Sequence, residues 1–187
     1  MPAPLAALHR RLRQLEPGSL MPGDAPAAVL VPFVETEDGP SLIFTRRSED
    51  LPSHGGEISF PGGGVRADEE SRSAALREAQ EELGIDPQYV TVLGALPRRS
   101  TFVSGFTIAP WVGLLRDARL DPNPREIAEV IVLPLRTLTA PGVRREQRII
   151  RGGELRTNPA YDAGGHTIWG ATGRILADLL DLIAEGS

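Results

Sequence analysis

The pattern of apolar residues predicts an α/β or α+β domain, and three stretches carry that reading. Residues 27–34 and 41–46 are short apolar runs of strand type, parted by the turn Glu37-Asp38-Gly39-Pro40. A segment without proline or internal glycine lies between Gly62-Gly63-Gly64 and Gly84, and reads as a helix in mid-chain. Near the end, Ile175, Leu176, Leu179, Leu180, Leu182 and Ile183 give a second helix a broad apolar face.

Taken in order, Leu5, Leu8, Leu12 and Leu15 fall at helical spacing, with Arg10, Arg11 and Arg13 off the stripe. A short amphipathic helix packed on the main domain is expected there. Residues 17–26 form a loop rich in proline and glycine. This divides the chain into an N-terminal helix and loop, 1–26, and a main domain, 27–187. Residues 27–34 suit a buried strand, with Pro32 as a bulge or an edge position. Phe60-Pro61-Gly62-Gly63 then enters a glycine loop ahead of the central helix. Asp68 or Ser71 can cap that helix, Glu69 and Glu70 suit the positive end of its dipole, and Gly84 can end it in a left-handed turn. Beyond it, residues 89–96 and 102–115 read as strands, the second broken by Gly105 and Pro110. Residues 141–161 are polar and arginine-rich, as an exposed hairpin would be. Trp169 reads as core, with stacking on an adenine as the alternative.

The composition excludes several chemistries. The chain has 187 residues, one domain's worth, with 41% hydrophobic and 24% charged residues. It contains no cysteine, which removes thiol catalysis, disulfides and cysteine–zinc sites. All 20 basic residues are arginine, so lysine Schiff-base chemistry is excluded and a phosphate clamp must use arginine, histidine or backbone N–H groups. A net charge of −5 argues against nucleic-acid or membrane partners. No apolar run approaches the roughly 18–20 residues that span a bilayer. With no secretory pattern at its start, the chain is expected in the cytoplasm. A homodimer is allowed by the sequence but not required.

The central helix carries the chemistry. Glu78 and Glu82 are four apart and share a face, which Glu81 borders. Like charges at that spacing oppose one another by roughly 0.2–0.5 kcal/mol per pair. A cation between them reverses the sign. Carboxylate oxygens are hard ligands, and with no cysteine or histidine beside them the fitting ions are Mg²⁺ or Mn²⁺. Arg77 can hold a carboxylate through its fork of donors. The ordinary alternative for a glutamate-rich helix is a solvated face.

The spacing is more particular than that alternative requires. Gly63, five residues, Glu69, seven residues, then Arg77-Glu78-Ala79-Gln80-Glu81-Glu82-Leu83-Gly84-Ile85 resembles the signature box of the Nudix hydrolases. Ala79 stands where that family usually carries a larger aliphatic residue, which bears on packing under the helix and not on the ligands. The resemblance covers about residues 27–184. It implies an α/β/α sandwich with a mixed β-sheet between helices.

A second stretch is similar to a narrower group, the coenzyme A pyrophosphatases. Thr45, Arg47, Ser48, Gly56, Phe60, Pro61, Gly62 and Gly63 match its pattern, as does the later run Ile168-Trp169-Gly170-Ala171-Thr172. Pro52 stands where the group has a second arginine, so that contact is absent or comes from another residue such as Arg46. The resemblance implies hydrolysis of coenzyme A or its derivatives to 3′,5′-ADP and 4′-phosphopantetheine or its acyl form. A broader nucleoside-diphosphate hydrolase and a non-catalytic nucleotide-binding module are the alternatives. Glu78, Glu82 and Glu81 would hold the ion, with Glu81 taking the proton of the attacking water and Glu57 as the alternative base. Arg77 would orient the ligands, and Glu69 would be a structural partner. Arg46, Arg47, His54, Gly62 and Gly63 would contact the small-molecule substrate, His54 having a purely structural role as its alternative. Glu126 and Glu129 are candidates for a further carboxylate, with surface charge as the competing reading.

Overall fold

Strand β1 (Ala25–Thr36) is the centre about which the other elements are laid. Its core is a continuous apolar run, and such a run needs both faces of a sheet covered. The computed structural model describes residues 3–15, 18–49, 55–101, 105–116, 119–151 and 154–185. Among them, β1 pairs antiparallel with β2 (Gly39–Arg47) and runs parallel to a later strand, Phe106–Leu115. Two short strands follow β2, β3 (Ile58–Ser59) and β4 (Gly62–Gly64). Helix α2 (Ser71–Leu83) comes next, α1 being the N-terminal helix Ala3–Leu12. A 3₁₀ turn (Pro87–Tyr89) leads to β5 (Val90–Ala95), β6 (Arg99–Ser100), β7 (Phe106–Leu115) and β8 (Ile127–Pro134). These eight strands make one mixed sheet among the described residues. After the short helix α3 (Leu135–Leu138), β9 (Arg144–Arg151), β10 (Glu154–Ala163) and β11 (His166–Ile168) form a smaller antiparallel sheet, and α4 (Gly170–Ala184) ends the fold.

The two sheet faces have separate cores. One holds Ala28, Leu30 and Ile43 under Ala74, Ala75, Ala79 and Leu83 of α2. The other joins Phe33, Phe44 and Val112 to Leu5, Leu8 and Leu12 of α1 and to Ile175, Leu176 and Leu179 of α4. This is the expected α/β/α arrangement with a mixed sheet. The N-terminal helix belongs to the same core as the sheet. No described helix is long and apolar enough to cross a membrane.

Pro32 is neither at a bulge nor on an edge. On one side β1 pairs with β4 through Ala27–Val29 and then with β2 through Phe33–Thr36. The Leu30 N–H donates to the Pro61 carbonyl at 2.9 Å. By alternation, residue 32 faces the gap between the two partners, where no ladder bond is due. The arginine-rich stretch does form a hairpin, but its far end is core: Asn158, Ala160 and Tyr161 are buried. Gly164 and Gly165 join β10 to β11 with φ of 58° and 80°, the left-handed pair of a tight hairpin turn.

Candidate active site

The glycine run is not a loop. Gly62–Gly64 is strand β4, paired with Val29, Ala28 and Ala27 of β1. Space, not conformational freedom, explains Gly62 and Gly63. A Cβ at Gly62 would lie 2.3 Å from the Ala28 carbonyl oxygen and 2.6 Å from Val29 Cα. A Cβ at Gly63 would lie 2.7–2.8 Å from the carboxyl atoms of Glu78. Gly64 opens onto free space.

Helix α2 crosses over β4 and β1, and three fully buried alanines bring it close. Ala79 is one of them, so its small size sets the distance between helix and strand. The expected capping by Asp68 or Ser71 does not occur. The N-cap is Glu70, extended and without a side-chain bond, while Asp68 takes a φ of 61°. The Ser71 hydroxyl instead accepts the Trp111 indole N–H at 3.1 Å. At the other end Gly84 (φ 68°) donates to the Gln80 carbonyl, and the Ile85 N–H bonds Ala79 O, as expected of a left-handed stop.

Close approach places the carboxylates. Glu82 is only 3% exposed; its Oε2 accepts the Gly62 N–H at 3.1 Å and its Oε1 lies 3.4 Å from Arg47 Nη1. Burial pushes its pKa up to about 7, against the Gly62 bond and the Arg47 charge; Glu78 and Glu126 push the same way as burial. Glu78 lies against Gly63 and accepts Arg77 Nη1 at 2.6 Å. Arg77 Nε and Nη2 bond both oxygens of Glu69 at 2.8 and 3.0 Å, and Nη2 also reaches the Gly64 carbonyl at 3.0 Å. The bond to Arg77 holds the Glu69 carboxyl down to about 2, helped by the Arg66 N–H, and the Arg77 pKa is raised by the same pair. Arg77 is thus fully engaged with protein groups, a positioning arrangement. Glu81, 47% exposed, is held by Arg66 Nη2 at 3.1 Å and Arg77 Nη1 at 3.2 Å.

The candidate substrate residues separate. Arg47 shares the α2 face with Glu82. Arg46, next in the alternation, faces the other side, where Nε bonds Glu129 at 2.8 Å and Nη2 meets His166 Nδ1 at 2.9 Å. The pairing of β2 with β8 shifts register at this Arg46/Arg47 step. Of the two later glutamates, Glu126 stands on the Glu82 side. The turn that carries it docks on the helix end, with Asn123 N–H donating to Glu82 O at 2.9 Å and the Asn123 amide bonding Glu126 Oε1 at 3.0 Å. Sequence spacing favours surface charge for both; the docked turn distinguishes Glu126 from Glu129. Glu57 precedes β3, and its carbonyl accepts the Arg47 N–H at 3.1 Å. His54 and Pro52 lie outside the described residues. Trp169 is not core: it is 44% exposed, extended ahead of α4.

The donor set fits a hard divalent ion. Glu82 is a buried carboxylate whose charge is opposed by desolvation and by a neighbouring glutamate, and a cation relieves both. The set is not closed, however: among the described residues no three acidic or histidine side chains stand grouped for an ion.

A methyl at position 63 tests this packing. Gly63→Ala meets only the end of a side chain, so the fold should persist while Glu78 moves, and an activity that uses Glu78 should fall about 10- to 100-fold. Gly62→Ala meets backbone and should instead destabilise the protein. Melting temperature and rate measured on both variants check the contrast.

The NUDIX domain model matches residues 24–151. A human protein described as mitochondrial coenzyme A diphosphatase NUDT8 is 37% identical over 186 residues, covering 95% of this chain and 78% of its own. Uncharacterized Nudix hydrolases NudL are also similar. That of Pectobacterium atrosepticum is 50% identical over 113 residues, and the match spans 58% of this chain and 57% of the relative. That of Photorhabdus laumondii is 37% identical, with 87% of each chain covered. The crystal structure of a MutT/nudix family protein from Enterococcus faecalis has a TM-score of 0.60 at 15% identity, covering 97% of this chain and 70% of that one, a likeness of fold.

Proposed function

The chain belongs to the NUDIX domain family and is a Nudix hydrolase, and from that premise we propose that it hydrolyses the diphosphate linkage of coenzyme A or its derivatives. The observation that carries the reading is the buried Glu82 beside Glu78, pressed by α2 against a glycine strand. The substrate rests on the motif residues from Thr45 to Gly63 and on the 37% identity, across 95% of this chain, to a protein named as a coenzyme A diphosphatase.

Glu78, Glu82 and Glu81 would hold Mg²⁺ or Mn²⁺, with Glu126 as a further carboxylate on the same side. When bound, such an ion neutralises charge on phosphoryl oxygens and acidifies a water molecule. Arg77 keeps Glu78 in place through a bond it cannot give to substrate. Glu81, the most exposed of the three, accepts the proton as water attacks one phosphorus. The bond from that phosphorus to the bridging oxygen breaks, giving 3′,5′-ADP and 4′-phosphopantetheine or its acyl form. Gly62 and Gly63 shape the floor, and Arg47 is the arginine of the motif on the site's side. A cytoplasmic location and a small-molecule substrate belong to the same proposal.

A substrate panel tests it. In Mg²⁺ or Mn²⁺ the protein should cleave coenzyme A with kcat/KM at least about tenfold above ADP-ribose and dinucleoside diphosphates, a difference of about 1.4 kcal/mol. Cleavage of ADP-ribose but not coenzyme A would replace the substrate and leave the family reading intact.

A further inference from the structure

The turn that leads into β8 is organised by one side chain. Asn123-Pro124-Arg125-Glu126 suits a tight turn, with asparagine at its first position and proline at its second. The Asn123 carbonyl accepts the Glu126 N–H at 3.0 Å and the Ile127 N–H at 2.8 Å. The Asn123 side-chain oxygen accepts the Arg125 N–H at 3.2 Å, which closes the turn from within. Two backbone bonds tie it outward. The Asn123 N–H donates to the Glu82 carbonyl at the end of α2, at 2.9 Å, and the Ser48 N–H beside Arg47 donates to the Glu126 carbonyl at 2.8 Å. The remaining group of Asn123, its amide Nδ2, donates to Glu126 Oε1 at 3.0 Å and is the one side-chain donor to that carboxyl among the described residues. Glu126 is near enough to Glu82 to help raise its pKa.

We infer that Asn123 is a positioning residue for the reaction: its amide holds the Glu126 carboxylate on the Glu82 side, while its backbone fixes the turn to the end of α2. The inference rests on the reading that Glu126 is a carboxylate of the hydrolytic site. A glutamate side chain turns about three bonds, and at this half-buried place a charge-assisted bond selects among its rotamers. The bond engages Oε1, so Oε2 stays available. The same residue links Glu126 to the helix that carries Glu82, and Glu126 in turn to the strand end that carries Arg47. A shift of the turn would therefore move the carboxylate relative to both.

The test is a cycle of variants of the full chain, measured for melting temperature and for kcat and KM on coenzyme A in Mg²⁺. Asn123→Asp keeps an acceptor for the Arg125 N–H and the backbone of the turn, but sets a carboxylate where the donor to Glu126 stood. It should lower kcat about 10- to 100-fold with KM within about twofold, and the melting temperature by about 2–6 °C. Glu126→Gln should lower kcat by a similar factor. In the double variant Asn123→Asp/Glu126→Gln, donor and acceptor have changed places. Its melting temperature should return to within about 2 °C of the wild type, while kcat stays as low as in Glu126→Gln alone. A turn that only supports the fold would lose and regain activity and stability together. An unchanged kcat in Asn123→Asp overturns the inference, as does an equal loss of kcat from Asn123→Asp with and without Glu126→Gln. An unchanged kcat in Glu126→Gln overturns the place of Glu126 in the site, and the positioning role with it. Should the wild type cleave ADP-ribose and not coenzyme A, the substrate reading fails and the same cycle, run on ADP-ribose, decides the role of Asn123. Cleavage of neither overturns both.

Discussion

Glu82→Gln and Glu78→Gln should each lower turnover of coenzyme A by roughly a hundredfold or more, the several kcal/mol that a bound ion contributes to a phosphoryl transition state. Neither variant should unfold the protein. At position 82 an amide fills the same volume and its oxygen can still accept the Gly62 N–H, so only the charge is lost. At position 78 the side chain keeps its place over Gly63, and Arg77 keeps Glu69 as a two-point partner. Rates measured beside melting temperature and far-UV circular dichroism separate the two effects. Normal activity in either variant would remove that residue from the ion-binding set. A variant that loses activity by unfolding would show instead that the carboxylate supports the fold.

The helix was legible because its ends and its charged face are local properties. Gly62–Gly64, Gly84 and the spacing of Glu78, Glu81 and Glu82 need no knowledge of the sheet. Its cap was not legible. Ser71 has a suitable hydroxyl, but Trp111 of β7 takes it, a contact set by packing between distant strands. The same applies to Ala79, whose size makes sense only once β1 and β4 are seen beneath it. Arg46 and Arg47 show a further reason. They are adjacent in the motif, yet the strand's period of two sends them to opposite faces, one to Glu129 and His166 and the other to Glu82. Trp169 is apolar enough to be core, but it precedes α4, whose buried stripe begins further on with Gly173, Ile175 and Leu176. Glu126 is separated from Glu82 by the 3₁₀ turn and strands β5, β6 and β7. Only the docking of residues 121–126 on the end of α2 brings it near.

Without divalent ions the protein should lose stability as pH rises from about 4.5 to about 7. Glu82 has a folded-state pKa of about 7 against an ordinary 4.5, because burial opposes its charge. The folded state then holds a proton that the unfolded chain has already released, so stability is fully present below pH 4.5 and is lost as pH passes through 7. The shift corresponds to about 3 kcal/mol, or roughly 6–12 °C in melting temperature for a chain of this size. Glu69 works in the other direction and in another window. Held at about 2 by Arg77, it adds stability above pH 4.5 that is lost as pH falls toward 2. Metal-free stability should therefore peak near pH 4.5–5 and decline on both sides. Saturating Mg²⁺ compensates the Glu82 charge and should abolish the decline on the alkaline side, so that the ion raises the melting temperature far more at pH 8 than at pH 5. Glu82→Gln cannot ionise, and in chelator at pH 8 it should melt above the wild type. Thermal melts across pH, in chelator and in Mg²⁺, on both proteins decide the matter. A metal-free wild type that is no less stable at pH 8 than at pH 5 would mean that Glu82 is not a charge held in waiting for a cation.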